Sequence, residues 1–252
     1  MKPNPYYQND KEKVELMKQR DAFAWDDPPP EKYIVVVAGQ PGDGKTHLLC
    51  TMSEIGQVYV LDSEYRAHLV AKKFQNIKIR RVTNYQEMVV AVKYILKYCE
   101  PGTIVFDSGS DVQQFAELEY LTRTGKQEVG MPYNWGEVYW LCNAIIEDIR
   151  RDGRFHLALS ARVKEEYIND KSTGRLIPKL YSNLPYKADV SLQFGKNRVP
   201  FLLKNGFTGD VSIPLTRDMT LPQIISKLSD GTIAAELPKT TRTNSAQLKI
   251  AS

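Results

Sequence analysis

The stretch 33-YIVVVAGQPGDGKTHLLC-50 decides how the rest of the chain is read. Ile34 to Val37 form a β-branched run with no polar alternation, as in strands buried on both faces of a parallel sheet. Beyond it, Gly39, Gly44, Lys45 and Thr46 stand at the spacing G-x-x-x-x-G-K-[ST]. Glycines 39, 42 and 44 let the backbone turn its N–H groups toward phosphate oxygens, and the helix that follows adds partial positive charge. Lys45 can neutralise β- and γ-phosphate charge, and the Thr46 hydroxyl can ligate magnesium. The expected contacts for a nucleoside triphosphate are therefore Gly39, Gln40, Pro41, Gly42, Asp43, Gly44, Lys45, Thr46 and His47. Many chemistries share such a loop, so the use of the energy has to be read elsewhere.

Outward from the loop, strands and helices alternate. "QVYVLDSE" and "GTIVFDSGSD" read as further buried strands, each ending in acidic residues, and "IKIRRVT" as a shorter one. Between them lie a helix through "YRAHLVAKKF" and an amphipathic helix "NYQEMVVAVKYILKYCE" behind an Asn84 cap. Helices through "QQFAELEYLTRT" and "EVYWLCNAIIEDIRR" precede the strand "FHLALSAR". This alternation predicts an α/β fold: a mostly parallel central sheet flanked by helices. After Arg162 the texture is polar and turn-rich, with "DKSTGR" as the expected hairpin tip. "KADVSLQFG", "RVPFLLKN" and "GDVSIPL" are expected as antiparallel edge strands, and "TLPQIISKL" as a helix behind Thr220.

Two carboxylates carry chemistry. Asp107, ending "TIVFD", stands where a P-loop protein holds magnesium, although a strand-end aspartate also caps helices. Glu64, at the tip of "VLDSE", is placed to orient an attacking water toward the γ-phosphate. A small-molecule kinase would need an acceptor pocket and a lid, and no arginine-rich lid is visible.

Bulk properties fit this reading. The chain has 252 residues, 42% hydrophobic and 25% charged, with a net charge of +4; that suits one α/β domain with short extensions. A mild positive charge is compatible with an anionic partner and with an ordinary basic surface. Three widely spaced cysteines, without a C-x-x-C, argue against structural zinc or a disulfide framework and for a reducing cytosolic setting. No apolar run approaches about 18 residues, so a membrane-spanning or secreted protein is not expected and a cytoplasmic one is. Residues 1–30 read as an accessory segment stopped by "DDPPP", 31–229 as the nucleotide-binding domain, and 230–252 as a loosely ordered tail.

The succession "GQPGDGKT", "VLDSEYRAHLVAKKF", "IVFDS" and "LALSAR" resembles the RecA/RadA recombinase ATPase core over roughly residues 33–195. It looks like the short RecA-like ATPases encoded by phages and archaeal viruses. The resemblance implies a RecA-like P-loop core that hydrolyses ATP with Mg2+. Lys45 and Glu64 would be catalytic, Glu64 as the base; Thr46 and Asp107 would hold the metal. Arg162 would stand where the family has a γ-phosphate sensor, usually Gln; Ser160 is the alternative sensor, and a surface cation the alternative role for Arg162. DNA, single-stranded by preference, would be met by loops 123–136 and 164–179. These carry Arg123, Lys126, Tyr133 and Trp135, and Lys171, Arg175 and Lys179; the second also carries Glu165, Glu166 and Asp170, and Trp135 also suits an anchor for the next helix, so ordinary surface loops are the alternative. A homo-oligomer is compatible, with Arg175 or Lys187 reaching a neighbour's nucleotide. Replication, recombination or strand annealing for a virus or plasmid is the implied setting. A genome-packaging or remodelling ATPase, and a nucleotide-switched binding module, share the core motifs.

Overall fold

The computed structural model describes residues 32–181 and 184–229. The predicted accessory segment (1–30) and tail (230–252) lie outside the described residues. Seven strands form one sheet: β1 (Ile34–Ala38), β2 (Gln57–Asp62), β3 (Ile77–Arg81), β4 (Gly102–Asp107), β5 (Phe155–Ala161), β8 (Val190–Phe194) and β9 (Pro200–Asn205). Their spatial order is β3-β2-β4-β5-β1-β8-β9. Every pairing is parallel except β8 with β9. This is the expected α/β architecture, a mostly parallel central sheet flanked by helices.

Both faces of the sheet are covered, which is why β1, β4 and β5 read as near-continuous apolar runs. Ile34, Val36 and Ala38 share one face with helices α3 (Tyr85–Tyr98), α4 (Ser110–Thr124) and α5 (Trp135–Asp152). Val35 and Val37 face the other side, toward α1 (Lys45–Cys50) and α7 (Leu221–Leu228). The caps are chemical. Asn84 accepts the Glu87 N–H at 2.9 Å while Glu87 accepts the Thr83 N–H at 2.8 Å, and Thr220 and Gln223 form a reciprocal capping box on α7.

Four expectations are corrected. β8 is parallel to β1, with Ala38 opposite Gln193; a short helix α6 (Leu184–Lys187) brings the chain back to the amino end of the sheet, and only β9 returns antiparallel. "GDVSIPL" forms no strand; Asp210 instead turns onto Ser212, accepting its N–H at 2.8 Å. The helix expected from Tyr65 shrinks to α2 (Ala67–Ala71), because Tyr65 adopts φ 60° with its ring under the Arg81 guanidinium. The hairpin tip is Asn169–Asp170, both with positive φ (50° and 60°), as a tight two-residue hairpin turn requires. Residues 171–175 of the expected tip run instead in β7 (Lys171–Pro178), paired with β6 (Val163–Ile168) in a separate two-stranded sheet. Among the described residues, no helix is long and apolar enough to cross a membrane.

One buried histidine makes stability depend on pH. His156 of β5 lies against Tyr33, ring centroids 4.0 Å apart, and its Nδ1 accepts the Tyr33 N–H. Burial lowers its pKa to about 3. An unfolded histidine takes up its proton near about 6.5. Between those values the unfolded state binds the extra proton, so stability falls as pH drops, by up to about 1.4 kcal/mol per unit. His156→Asn, which keeps an acceptor but does not titrate, is expected to flatten this slope in denaturant midpoints measured across that window; an unchanged slope would contradict the assignment.

Candidate functional site

Six strands running the same way leave their carboxyl ends on one edge, and the candidate residues gather there. β1 leads into the loop. Gly42 and Gly44 take φ values of 85° and 106°, conformations that side-chain-bearing residues rarely adopt, and Gly44 caps α1. The loop is closed internally: the Asp43 carboxylate accepts the Gln40 N–H at 2.6 Å, and Gly39 N–H donates to Ala161 O at 3.1 Å. Lys45 folds back, its Nζ donating to Gly39 O (3.0 Å) and Gln40 O (2.9 Å). Burial lowers the pKa of this ammonium, opposed by the negative charges of Glu64, Asp107 and Asp43. Pro41 is exposed on the loop, and His47 turns outward on α1 against Phe74.

β4 supplies Asp107, 5% exposed. One carboxylate oxygen accepts the Thr46 hydroxyl at 2.7 Å and the other accepts the Ser160 hydroxyl. Burial raises the Asp107 pKa, opposed by those two hydroxyls. A dry carboxylate beside a threonine hydroxyl is a pair of hard oxygen donors, which fits magnesium. Among the described residues, no group of three His, Cys, Asp or Glu side chains forms a cage of its own. Magnesium commonly keeps waters and substrate phosphates beside one or two protein ligands, so this sparse donor set suits it. After Asp107 the chain turns hard against β5. Gly109 N–H donates to Ser160 O at 2.8 Å, and a Cβ at Gly109 would lie 2.9 Å from Leu159 Cβ.

β2 supplies Glu64, and the turn that carries it is built by a residue whose part the sequence did not disclose. Asp62, buried, accepts Glu64 N–H and Ala67 N–H on its two oxygens, each at 3.0 Å. Ser63 N–H donates to Asp107 O at 2.7 Å, tying the β2 tip to the β4 tip. Arg162, just past β5, donates to Glu64 Oε1 from Nε (3.0 Å) and Nη2 (2.9 Å) and also pairs with Asp111. Asp111 accepts the Ser63 hydroxyl at 2.7 Å, and Ser63 in turn accepts Ser108 N–H. The structure therefore brings Lys45, Thr46, Glu64, Asp107, Ser160 and Arg162 to one place. It adds Asp62, Ser63, Ser110 and Asp111. Acidic strand ends signalled Asp62; no local pattern marks the others, whose partners lie 44 to 69 positions away.

The two loops expected to meet DNA differ. In 123–136, Arg123 is paired with Glu137, and Lys126 donates to Tyr120 OH (2.8 Å) and Asn134 Oδ1 (3.2 Å). Trp135 opens α5, partly buried on the core beside Tyr139, which is the anchoring role. Tyr133 stays outward, 77% exposed. At the far end of a 15-residue helix, this loop lies about 20 Å along the chain axis from Asp107. The 164–179 stretch forms β6 and β7 and begins at the site itself. Lys187 is paired with Glu147.

No curated protein matches the chain. Among solved structures, one of a prototypical ATPase from the type III secretion system of pathogenic bacteria is 12% identical at a TM-score of 0.45. That likeness covers 73% of this chain and 58% of the ATPase chain. The flagellar accessory protein FlaH from Methanocaldococcus jannaschii is 10% identical at a TM-score of 0.36, covering 74% of this chain and 84% of FlaH. The family described as AAA domain matches residues 31–209, well over half of the sequence and all of the site built above. The chain belongs to this AAA domain family.

Proposed function

We propose that the chain is a magnesium-dependent ATPase that couples hydrolysis to DNA, with Glu64 orienting the attacking water. The family and the P-loop core support nucleotide binding and hydrolysis. The observation that carries the finer reading is the convergence of a cation, a hydroxyl–carboxylate pair and a second, separate carboxylate on one sheet edge. Phosphoryl transfer to water asks the protein for positioning and charge stabilisation. Magnesium held by Thr46 and Asp107 would neutralise charge on the terminal phosphates. Lys45, which donates to two loop carbonyls, can exchange them for phosphate oxygens. Glu64 holds and polarises the water once its oxygen is no longer occupied by Arg162, and the released guanidinium then faces developing negative charge.

DNA as the partner is supported by Lys164, Lys171 and Arg175 in the β6–β7 hairpin that follows Arg162, which stand among Glu165, Glu166 and Asp170, and by the positive net charge of the chain. One observation favours a second reading, a nucleotide-switched module with little turnover: Glu64 is already ion-paired in the described state.

Steady-state phosphate release and nucleotide binding, measured together, separate these readings. Lys45→Ala is expected to lose ATP affinity at least about tenfold. Glu64→Gln is expected to lower kcat by about 10²- to 10⁴-fold with ATP affinity nearly unchanged. Equal turnover in Glu64→Gln would remove Glu64 from the reaction, and negligible wild-type turnover with and without DNA would favour the switch. Asp62→Asn sets an amide donor against one of two backbone N–H groups. It is expected to cost about 1–3 kcal/mol of stability and to lower kcat through the misplaced Glu64 turn; thermal melts and kcat matching wild type would contradict that role.

A further inference from the structure

The positive charge of the chain is concentrated on one edge of the sheet. Residues 62–100 hold eight lysines and arginines against four aspartates and glutamates, an excess equal to the +4 of the whole chain, so the remainder is balanced. The stretch 163–179, which contains the β6–β7 hairpin, holds four against three. All eight cations of 62–100 are exposed, and among the described residues none of them forms an ion pair. Three of the four carboxylates are already engaged. Asp62 is buried in the Glu64 turn, Glu64 is held by Arg162, and Glu87 accepts the Thr83 N–H and hydroxyl, both at 2.8 Å. Glu100 is exposed just past the end of α3.

The edge strand is β3, with β2 as its neighbour in the sheet. Lys78 lies opposite Tyr59 and Arg80 opposite Leu61, core residues on the side of the sheet covered by α3. Both cations therefore line the α3 side of the edge, at a repeat of about 6.6 Å. On α3, Glu87, Tyr94 and Tyr98 share one face, at i, i+7 and i+11. The charges of Arg80 and Arg81 act on Glu87, so this face borders β3. Tyr94 and Tyr98 are 60% and 65% exposed, with ring centroids 5.2 Å apart. Lys97 Nζ lies 5.1 Å from the Tyr98 centroid. Cations on an edge strand discourage pairing between copies, which accounts for Lys78 and Arg80 but not for two neighbouring phenols left in water. A row of cations beside open aromatic faces suits unpaired nucleic acid, whose phosphates meet the charges and whose bases stack on the rings. A run of carboxylates would meet the cations but has no planar base to lay on the phenols.

We propose that the β3 edge and the adjoining face of α3 are a seat for single-stranded nucleic acid, with Lys78, Arg80 and Lys97 on phosphates and Tyr94 and Tyr98 under bases. Glu87, at one end of this face, repels phosphate and limits the seat there. The seat is separate from the β6–β7 hairpin: β3 lies three strands from β5, about 14 Å across the sheet. The proposal rests on the reading of nucleic acid as the partner, and it requires neither Glu64 nor hydrolysis.

The test follows fluorescent oligothymidylate on the full chain, without nucleotide, by anisotropy across a salt series. The double variant Lys78→Gln with Arg80→Gln is expected to lose at least about tenfold in affinity and to make the salt slope shallower by about 1.4. The double variant Tyr94→Ala with Tyr98→Ala is expected to lose at least about tenfold with the slope unchanged, while its affinity for inorganic polyphosphate stays within about twofold of wild type. Ultraviolet crosslinking of oligothymidylate to the wild type, which needs no folded variant, is expected to mark Tyr94 or Tyr98. Wild-type affinity in both double variants, or crosslinks confined to 163–179, would overturn the seat and leave DNA as the partner. Polyglutamate bound as tightly as oligothymidylate, with the same loss in the tyrosine variant, would overturn it in favour of an acidic protein. Binding to phosphatidylserine vesicles with none to oligothymidylate would overturn it in favour of a membrane surface. A wild type that binds none of these probes at low salt would count against both the seat and DNA as the partner.

Discussion

The Asp107 carboxylate is a buried charge shared between two hydroxyls, and the rest of the site depends on where it is held. Thr46 brings α1 to one of its oxygens and Ser160 brings β5 to the other, so the nucleotide loop, the acid-tipped strand and the strand leading to Arg162 are registered on one group. A carboxylate taken out of water without a cation is costly, and its raised pKa expresses that cost. A bound divalent ion would offset it. The same group that organises the edge is therefore the one best prepared to receive metal.

A second polar layer lies on the outer side of this edge and is built differently. Glu64, Arg162, Asp111, Ser63 and Ser110 form a chain of hydrogen bonds that runs from the tip of β2 to the root of the β6–β7 hairpin. Its central ion pair is half exposed, so it can rearrange at low cost, whereas the Asp107 layer cannot. The division suits a nucleotide site in which phosphate and metal positions are rigid and the carboxylate proposed to orient water, Glu64, is adjustable.

Much of this was legible in the sequence because local physics decided it. Ile34–Val37 could only be a doubly buried strand, Gly42 and Gly44 mark positive φ, and the Asn84 and Thr220 caps follow from residue type. What was not legible was set by distant partners. Nothing near Tyr65 announces that it will take φ 60° under Arg81 and cut the expected helix short. The direction of β8 depends on where α6 delivers the chain, not on the apolar pattern of "VSLQF", which is the same for either direction. Lys126 and Trp135 read as nucleic-acid contacts by type, yet their partners Tyr120, Asn134 and the core hold them in place. Arg162 showed the opposite: a residue that departs from the expected glutamine proved to be tied directly to Glu64.

The central claim is that Glu64 acts on the water and not on binding, and a single-turnover measurement reaches it most directly. ATP is preloaded on wild type and on Glu64→Gln, and the rate of phosphate formation in the formed complex is followed. The account requires the complex to form equally in both and the chemical step to slow by at least about 100-fold in the variant. Equal single-turnover rates would contradict it.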